Sequence, residues 1–430
     1  MGRFASLPGG PRLIPALFGA LALVAAIHVL LVDPKLPLRL LKTPVAAALA
    51  AFIVYLFINA TWSPDRAEGF AKAATVLGLA FGVVLLAASS KLRTAEEARV
   101  LAKSALAGLL LGGAFLLIEL VSHQATSRFI SNHIVQLFDL ARKKVQIEDG
   151  KVTKMAEFIL NRNVTSLVLL LVPSLLFSTA LAAGRTRLAC IAALVVGVGL
   201  CVLLSQSGTS VLAFIAGALV LGLAALSLRA TRLLLAAGWV ILTLLAVPLG
   251  ALPYDLGWQK WTWLPPESVA ARFYIWKYTA GKVAERPITG IGIRGTRSLH
   301  VDAAIDPETG LQSTAVLRPG RHAHNVFLQT WLELGAIGAV LLLGVGLAGL
   351  FAMGAWPRLM QASAYGLFAV SVAVGISGFD IWQTWLLGAL AFAWSAMMLA
   401  ARLPALAGRT EAERGQLGRS GNAALPATIA

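Results

Sequence analysis

Apolar runs separated by short polar stretches recur along the whole chain, at 13–32, 44–60, 70–89, 100–121, 164–183, 187–204, 209–228, 232–250, 327–354, 361–379 and 383–401. A helix rises about 1.5 Å per residue, so some 20 apolar residues cross a hydrocarbon core of about 30 Å. The pattern predicts eleven membrane-spanning helices and an all-α polytopic membrane protein. Two polar interruptions are long, 122–162 and 251–325. They divide the chain into N-terminal helices (1–250, with loop 122–162), a large loop (251–325), C-terminal helices (326–401) and a polar tail (402–430). The tail, rich in Gly and Ala, is expected to be disordered. The run after Arg12 lacks a convincing cleavage site, so no removable leader is expected.

Composition agrees: of 430 residues, 58% are hydrophobic and 13% charged, against about 25% charged in soluble domains. The net charge of +16 is in part topological. The short connections "DPKLPLRLLK", "KLRTAEEAR", "GRTR", "RATR" and "WPR" fall on one side with the tail, and Lys and Arg mark that side as cytoplasmic. Both long loops then face the other side. Segment 251–325 carries nine Lys/Arg against six Asp/Glu, and 122–162 seven against four, so that face is moderately cationic. Nucleic acid is not an expected partner, because the charge is not gathered in a soluble basic domain. Eleven spans with an inside tail put the N-terminus outside, yet Arg3 and Arg12 flank the first span. That conflict implies a missed span, a re-entrant segment or an inverted first span. Cys190 and Cys201 lie about 16 Å apart along one helix, beyond the ~7 Å a disulfide allows, and read as thiols.

The second long loop holds the strongest chemical signal. Trp258, Trp261 and Trp263 suit either the membrane interface or a sugar-stacking surface. Ala270–Glu285 reads as an amphipathic helix with Phe273 and Trp276 on its apolar face. "RPITGIGIRG" follows as a glycine-shaped turn without the lysine-serine pair of a phosphate loop. In "RPGRHAHNVFLQTWLELGAIGA", Arg318, Arg321, His322, His324 and Asn325 crowd the mouth of a span. Asn325 is placed to cap that helix, whose exposed N–H groups attract an anion, and Arg318, Arg321 and Arg272 add forks suited to phosphate. At 100° per residue, His324, Leu328, Trp331, Gly335 and Gly338 form one stripe, and its glycines predict close helix packing. Glu333, inside the membrane, calls for a buried donor that the sequence does not identify.

Two further polar breaks face the same side. Arg162 opens the fifth span, either as a second phosphate ligand or as an interfacial anchor. Gln206, Ser207 and Thr209 either line a cavity or form a turn. His28 and His300 read as ordinary. Paired DxD carboxylates, HExxH, Cys/His clusters and GxSxG are absent from the sequence, which gives no support for a metal site or a serine elbow.

"HNVFLQTWLELGAIG" resembles the His-[Asn/Ser/Gln]-x9-Gly-x2-[Gly/Thr/Tyr] pattern of O-antigen ligases, through His324, Asn325, Gly335 and Gly338. "ARFYIWKYTAGKVAERPITGIG" is similar to the Arg-x3-Trp…Pro-x2-Gly-x-Gly segment of the wider ligase/polymerase superfamily, through Arg272, Trp276, Pro287, Gly290 and Gly292. The resemblance implies a GT-C-type glycosyltransferase with twelve spans, one more than the hydropathy yields. It implies transfer of O-antigen from undecaprenyl diphosphate to a lipid A–core sugar hydroxyl at the periplasmic side of a Gram-negative inner membrane. No cofactor, nucleotide sugar or metal is implied. In that reading His324 and Arg272 are catalytic, with His324 either the base or a phosphate contact and His322 in reserve as base. Arg162, Arg318, Arg321, His322, Asn325 and Gln206 hold the donor diphosphate. An O-antigen polymerase or a protein O-oligosaccharyltransferase is the alternative, and a transporter of lipid-linked sugars a remote one.

Overall fold

The computed structural model describes residues 13–133, 145–149, 151–261, 266–299, 322–404 and 406. The chain begins with α1 (Ile14–Val32), the short α2 (Leu36–Leu40) and α3 (Pro44–Ala60), followed by two 27-residue helices, α4 (Arg66–Leu92) and α5 (Ala95–Val121). Next come α6 (Ala125–His133) and an antiparallel hairpin of β1 (Val145–Glu148) and β2 (Lys151–Met155). The remaining helices are α7 (Asn161–Leu181), α8 (Gly184–Leu204), α9 (Gly208–Leu226), α10 (Leu228–Leu244), α11 (Ala246–Asp255), α12 (Pro266–Val283), α13 (Val326–Met353), α14 (Arg358–Ser377) and α15 (Thr384–Ala400). Local signals set several starts. Thr43 caps α3 ahead of Pro44, and Thr94 and Glu97 form a reciprocal capping box on α5, which satisfies N–H groups a helix leaves unpaired.

Among the described residues eight helices are long and apolar enough to cross a membrane, and α10 with α11, bent by 76°, makes a ninth. The 17-residue α3 and α15 are shorter apolar helices, about 26 Å long. Together these coincide with the eleven hydropathic runs, so the chain is an all-α polytopic membrane protein. A twelfth apolar span is not found among the described residues, and α12 carries too many charges to be one. The hairpin is a small departure from the all-α expectation, and the tail beyond 406 lies outside the described residues.

The packing of α1 bears on the orientation conflict. A Cβ on Gly388, near the start of α15, would meet Ile14 at 3.2 Å, and His28 bonds Ser89 near the end of α4 at 2.9 Å. Thus α1 runs parallel to α4 and α15, starting at the end of the bundle where the long loops lie. Eleven alternating spans require that direction.

The largest apolar core is built around α7 and α14, with α5, α8, α9 and α15 against them. A second core joins α3 and α4 to Leu334, Ile293 and Trp382.

One departure shapes everything near the site: α13 is broken. Gly335 has φ +66° and ψ −166°, a conformation essentially confined to glycine. The turn 287–292 inserts at the break and takes over the freed backbone groups. Ile291 and Gly292 donate to the carbonyls of Leu332 and Glu333, each at 2.9 Å, and Ala336 and Ile337 donate to those of Pro287 and Ile288, at 2.8 and 3.2 Å. A Cβ on Gly335 would lie 2.3 Å from the Ile288 carbonyl oxygen, and one on Gly290 would lie 2.4 Å from that of Glu333. Asn59 binds across the joint: its Nδ2 donates to the Thr289 and Glu333 carbonyls and its Oδ1 accepts from Ile293 N.

This corrects the helical-stripe expectation. Gly335 packs closely against an inserted turn and not against a neighbouring helix, and Gly338 faces Leu334 of its own helix. Only Leu328 and Trp331 follow the stripe: Gly250 sits against Leu328, and Trp331 Nε1 donates to the Thr243 carbonyl at 2.7 Å. His324 lies before the helical part of α13, with φ +54°.

Candidate functional site

A cavity of about 260 Å3 opens at the loop end of the bundle. Arg162 and Asn161 enter it from the start of α7, Gln206, Ser207, Gly208 and Thr209 from the α8–α9 turn, and Arg272 from α12. His322 and His324 reach it from the segment before α13, and Gly378, Phe379 and Gln383 from the α14–α15 turn. Phe158 completes the wall. No carboxylate lines it among the described residues. The first residues of α7 and α9 and the cap of α15 all lie on the cavity, and a helix N-terminus carries about half a positive charge. Two guanidinium groups and these helix ends therefore face one small space. Such a space favours an anion with several oxygen acceptors.

The Arg162 guanidinium carbon lies over the Trp385 ring, 5.8 Å from its centroid, a cation–π contact that holds the charged end of the side chain at the cavity wall. Burial pushes the Arg272 pKa down, and among the described residues no carboxylate opposes that shift. A cation placed this way gains most from a partner that arrives with a ligand. Lys277, on another face of α12, pairs instead with Asp255 at 2.7 Å.

The two histidines are held in different ways. Their ring centroids are 3.9 Å apart. His324 Nδ1 sits 2.9 Å from the Gly378 carbonyl oxygen. A carbonyl only accepts, so Nδ1 carries the proton and the neutral ring keeps its lone pair at Nε2. His322 is the reverse: its Nδ1 accepts from the His324 backbone N–H at 3.2 Å, so its ring proton is on Nε2. Burial is the main reason both pKa values fall below the ordinary histidine value. For His324 the Gly378 bond opposes that shift, Arg272 adds to it and Asp380 opposes it. For His322 the adjoining His324 adds to the shift and Asp380 opposes it. The left-handed backbone at His324 is unusual for a residue other than glycine; here it lies between the His322 contact and the Asn325 cap.

Behind the cavity a buried charged cluster holds the α14–α15 turn. Asp380, 1% exposed, pairs with the Arg294 guanidinium and accepts from Gln329 Nε2 at 2.9 Å and Trp382 N at 3.0 Å. Arg294 also pairs with Glu68 of α4 at 2.6 Å. The buried donors that Glu333 called for are Trp382 Nε1, Thr296, Gln329 Nε2 and the backbone N–H of Arg294. The cluster therefore ties the inserted turn to the same segment that carries Gly378.

Of the residues singled out in the sequence, Arg162, Gln206, Arg272, His322 and His324 line this one cavity. Asn325 does not line it. Its Oδ1 accepts from Phe327 N at 3.0 Å and Leu328 N at 3.1 Å, a cap on α13. Arg318, Arg321 and Trp263 lie outside the described residues. Trp258 and Trp261 stack on each other at 5.2 Å, away from the cavity. Residues the sequence reading passed over include Asn161, Gly378, Gln383, Arg294 and Asp380. The polar break "SGFDIWQ" before the last apolar run was the signal for the α14–α15 turn. Among the described residues no group of three or more His, Cys, Asp or Glu side chains is placed to hold a metal ion.

Residues 192–343 match the family model described as O-antigen ligase. A Rickettsia conorii protein assigned as a polysaccharide ligase is 32% identical over 135 residues, 31% of this chain and 32% of its own length. Similarly assigned proteins of Rickettsia bellii and Rickettsia prowazekii are 32% identical over 120 residues and 31% over 121, covering 27% of this chain and 29% of each relative. The chain thus aligns with about a third of the length of the curated relatives it matches. The family match covers about a third of this chain and spans Gln206, Arg272, His322, His324 and the break in α13, so over that stretch the chain is similar to the O-antigen ligase family.

Proposed function

We propose that the protein is a glycosyltransferase that moves a polysaccharide from undecaprenyl diphosphate to a sugar hydroxyl of lipid A–core, in the periplasmic face of a Gram-negative inner membrane. The observation that carries the reading is the meeting of an unprotonated imidazole nitrogen, His324 Nε2, with two cations in one cavity that no carboxylate lines among the described residues. Arg162, Arg272 and the N-termini of α7 and α9 hold the diphosphate. His324 Nε2 takes the proton of the acceptor hydroxyl as its oxygen bonds to the anomeric carbon. The bond from that carbon to the diphosphate oxygen breaks, and the leaving group departs with the electron pair. Attack opposite the leaving group inverts the anomeric centre. Preorganised cations then stabilise the charge that grows on the leaving diphosphate. Asp380, close enough to act on both histidines, favours the imidazolium that forms.

His324 suits the base better than His322, whose Nδ1 lone pair is taken by a backbone N–H and whose other nitrogen carries a proton. Reconstitution tests the reaction class. Purified protein is mixed with undecaprenyl-diphosphate-linked glycan and rough lipopolysaccharide, with EDTA present, and both lipids are followed on gels. A shifted lipopolysaccharide band supports ligation without a divalent metal. Longer glycan on the undecaprenyl carrier, with the lipopolysaccharide unshifted, identifies a polymerase instead.

A further inference from the structure

A second cavity, of about 300 Å3, adjoins the first and shares Gln206 with it. Its chemistry is the opposite of its neighbour's. It is lined at the C-terminal ends of α5 and α8, where carbonyls and the negative ends of two helix dipoles gather. Its polar side chains are Glu119, His123, Gln124, Ser205 and Gln206, and among the described residues no lysine or arginine lines it. Phosphate is disfavoured beside a carboxylate and two such helix ends. A neutral group rich in hydroxyl donors is favoured.

The wall is built to receive a donor. Gln124 is 2% exposed, yet its Oε1 has no hydrogen-bond partner among the described residues. Its Nε2 reaches only the Met155 and Ala156 carbonyls, at 3.5 and 3.4 Å. A buried amide oxygen left this way is costly unless something fills it. Glu119 accepts from Thr126 N, Ser127 N and Ser127 Oγ, which fixes the carboxylate against the wall; two oxygens offer about four acceptor positions, so capacity is left over.

We infer that this cavity binds a neutral sugar ring, seated beside the diphosphate site and sharing Gln206 with it. The inference rests on the proposed glycosyl transfer. The ring belongs either to the acceptor core or to the first sugar of the donor glycan, and binding separates the two. The probes are core oligosaccharide freed from lipid A and glycan released from the undecaprenyl carrier, each titrated into detergent-purified protein by thermophoresis. Leu204, a lining residue 49% exposed, is changed to Trp to fill the space. Leu203→Trp, at a neighbouring position 77% exposed and outside the lining, controls for added bulk. Gln124→Leu removes the unpaired amide and serves if Leu204→Trp fails to fold.

One probe should bind the wild type and Leu203→Trp alike, and bind Leu204→Trp and Gln124→Leu about tenfold or more weakly. Loss of core oligosaccharide binding assigns the acceptor, and loss of the released glycan assigns the donor. Equal binding of both probes to all four proteins overturns the inference, as does no binding to the wild type. Binding lost as expected, in a protein that does not ligate, upholds the sugar cavity and defeats the proposed function instead.

Discussion

Replacing Gly335 by alanine tests the joint on which the site rests. The new Cβ would lie 2.3 Å from the Ile288 carbonyl oxygen, 2.4 Å from its carbon and 2.6 Å from Gly290 N, so the inserted turn has to move. The backbone conformation alone costs roughly 1–3 kcal/mol for a residue other than glycine. Displacing the turn endangers four backbone hydrogen bonds between 287–292 and 332–337, each worth about 0.5–1.5 kcal/mol. If all four are lost the sum is on the order of 3–9 kcal/mol, a large part of a typical stability of about 5–15 kcal/mol. The assay is thermal unfolding of the purified protein in detergent. Gly344→Ala serves as the control, because no atom lies within 4 Å of a Cβ at that position of the same helix. Gly335→Ala should unfold well below wild type and Gly344→Ala close to it. Equal midpoints for all three proteins would refute the claim that the inserted turn locks α13.

Other consequences follow from the cavity and the cluster behind it. Arg162→Ala and Arg272→Ala should each lower kcat by about 10²–10³ if these cations stabilise the leaving diphosphate, as read from single-turnover transfer. Asp380→Asn leaves the buried Arg294 half-paired, and breaking a buried pair costs on the order of 3–5 kcal/mol; the unfolding midpoint of the variant measures it. His324 acts as a base only when neutral, and burial first holds its pKa below the ordinary 6.5. The acid limb of the pH–rate profile should therefore lie below pH 6.5, and Arg272→Gln, which removes a lowering influence, should move that limb upward. The same histidines, neutral in the folded state, contribute stability that is complete above pH 6.5 and is lost as the pH falls below it, visible as a falling unfolding midpoint.

Much of the architecture was legible because lipid leaves few options: each apolar run of sufficient length became a helix, and Asn325 caps α13 as its position next to an apolar run suggested. Arg162 and Gln206 could be chosen because each sits at a polar break between apolar runs, and Arg272, His322 and His324 because they stand in the long polar loop, Arg272 and His324 also filling the motif resemblance. What stayed hidden was non-local. Arg294 meets Glu68 across 226 positions and Asp380 across 86, and short polar connections carry no periodicity to announce such pairs. The break at Gly335 was hidden for another reason. A glycine that packs against a helix and one that opens it look the same in an apolar run, and only the inserted turn, with its hydrogen bonds to 332–337, distinguishes them. Counting His324 along the helix failed because a left-handed residue followed by the cap precedes the first helical turn.

The most direct test of the central claim is the single-turnover rate of glycan transfer by His324→Ala and His322→Ala, with binding of the undecaprenyl-diphosphate donor measured on the same preparations. Loss of a positioned general base costs about 10²–10⁴ in rate. His324→Ala should fall within that range while still binding donor, and His322→Ala should keep most of the wild-type rate. Transfer by His324→Ala at the wild-type rate, or the larger loss in His322→Ala, would contradict the assignment of His324 Nε2 as the base.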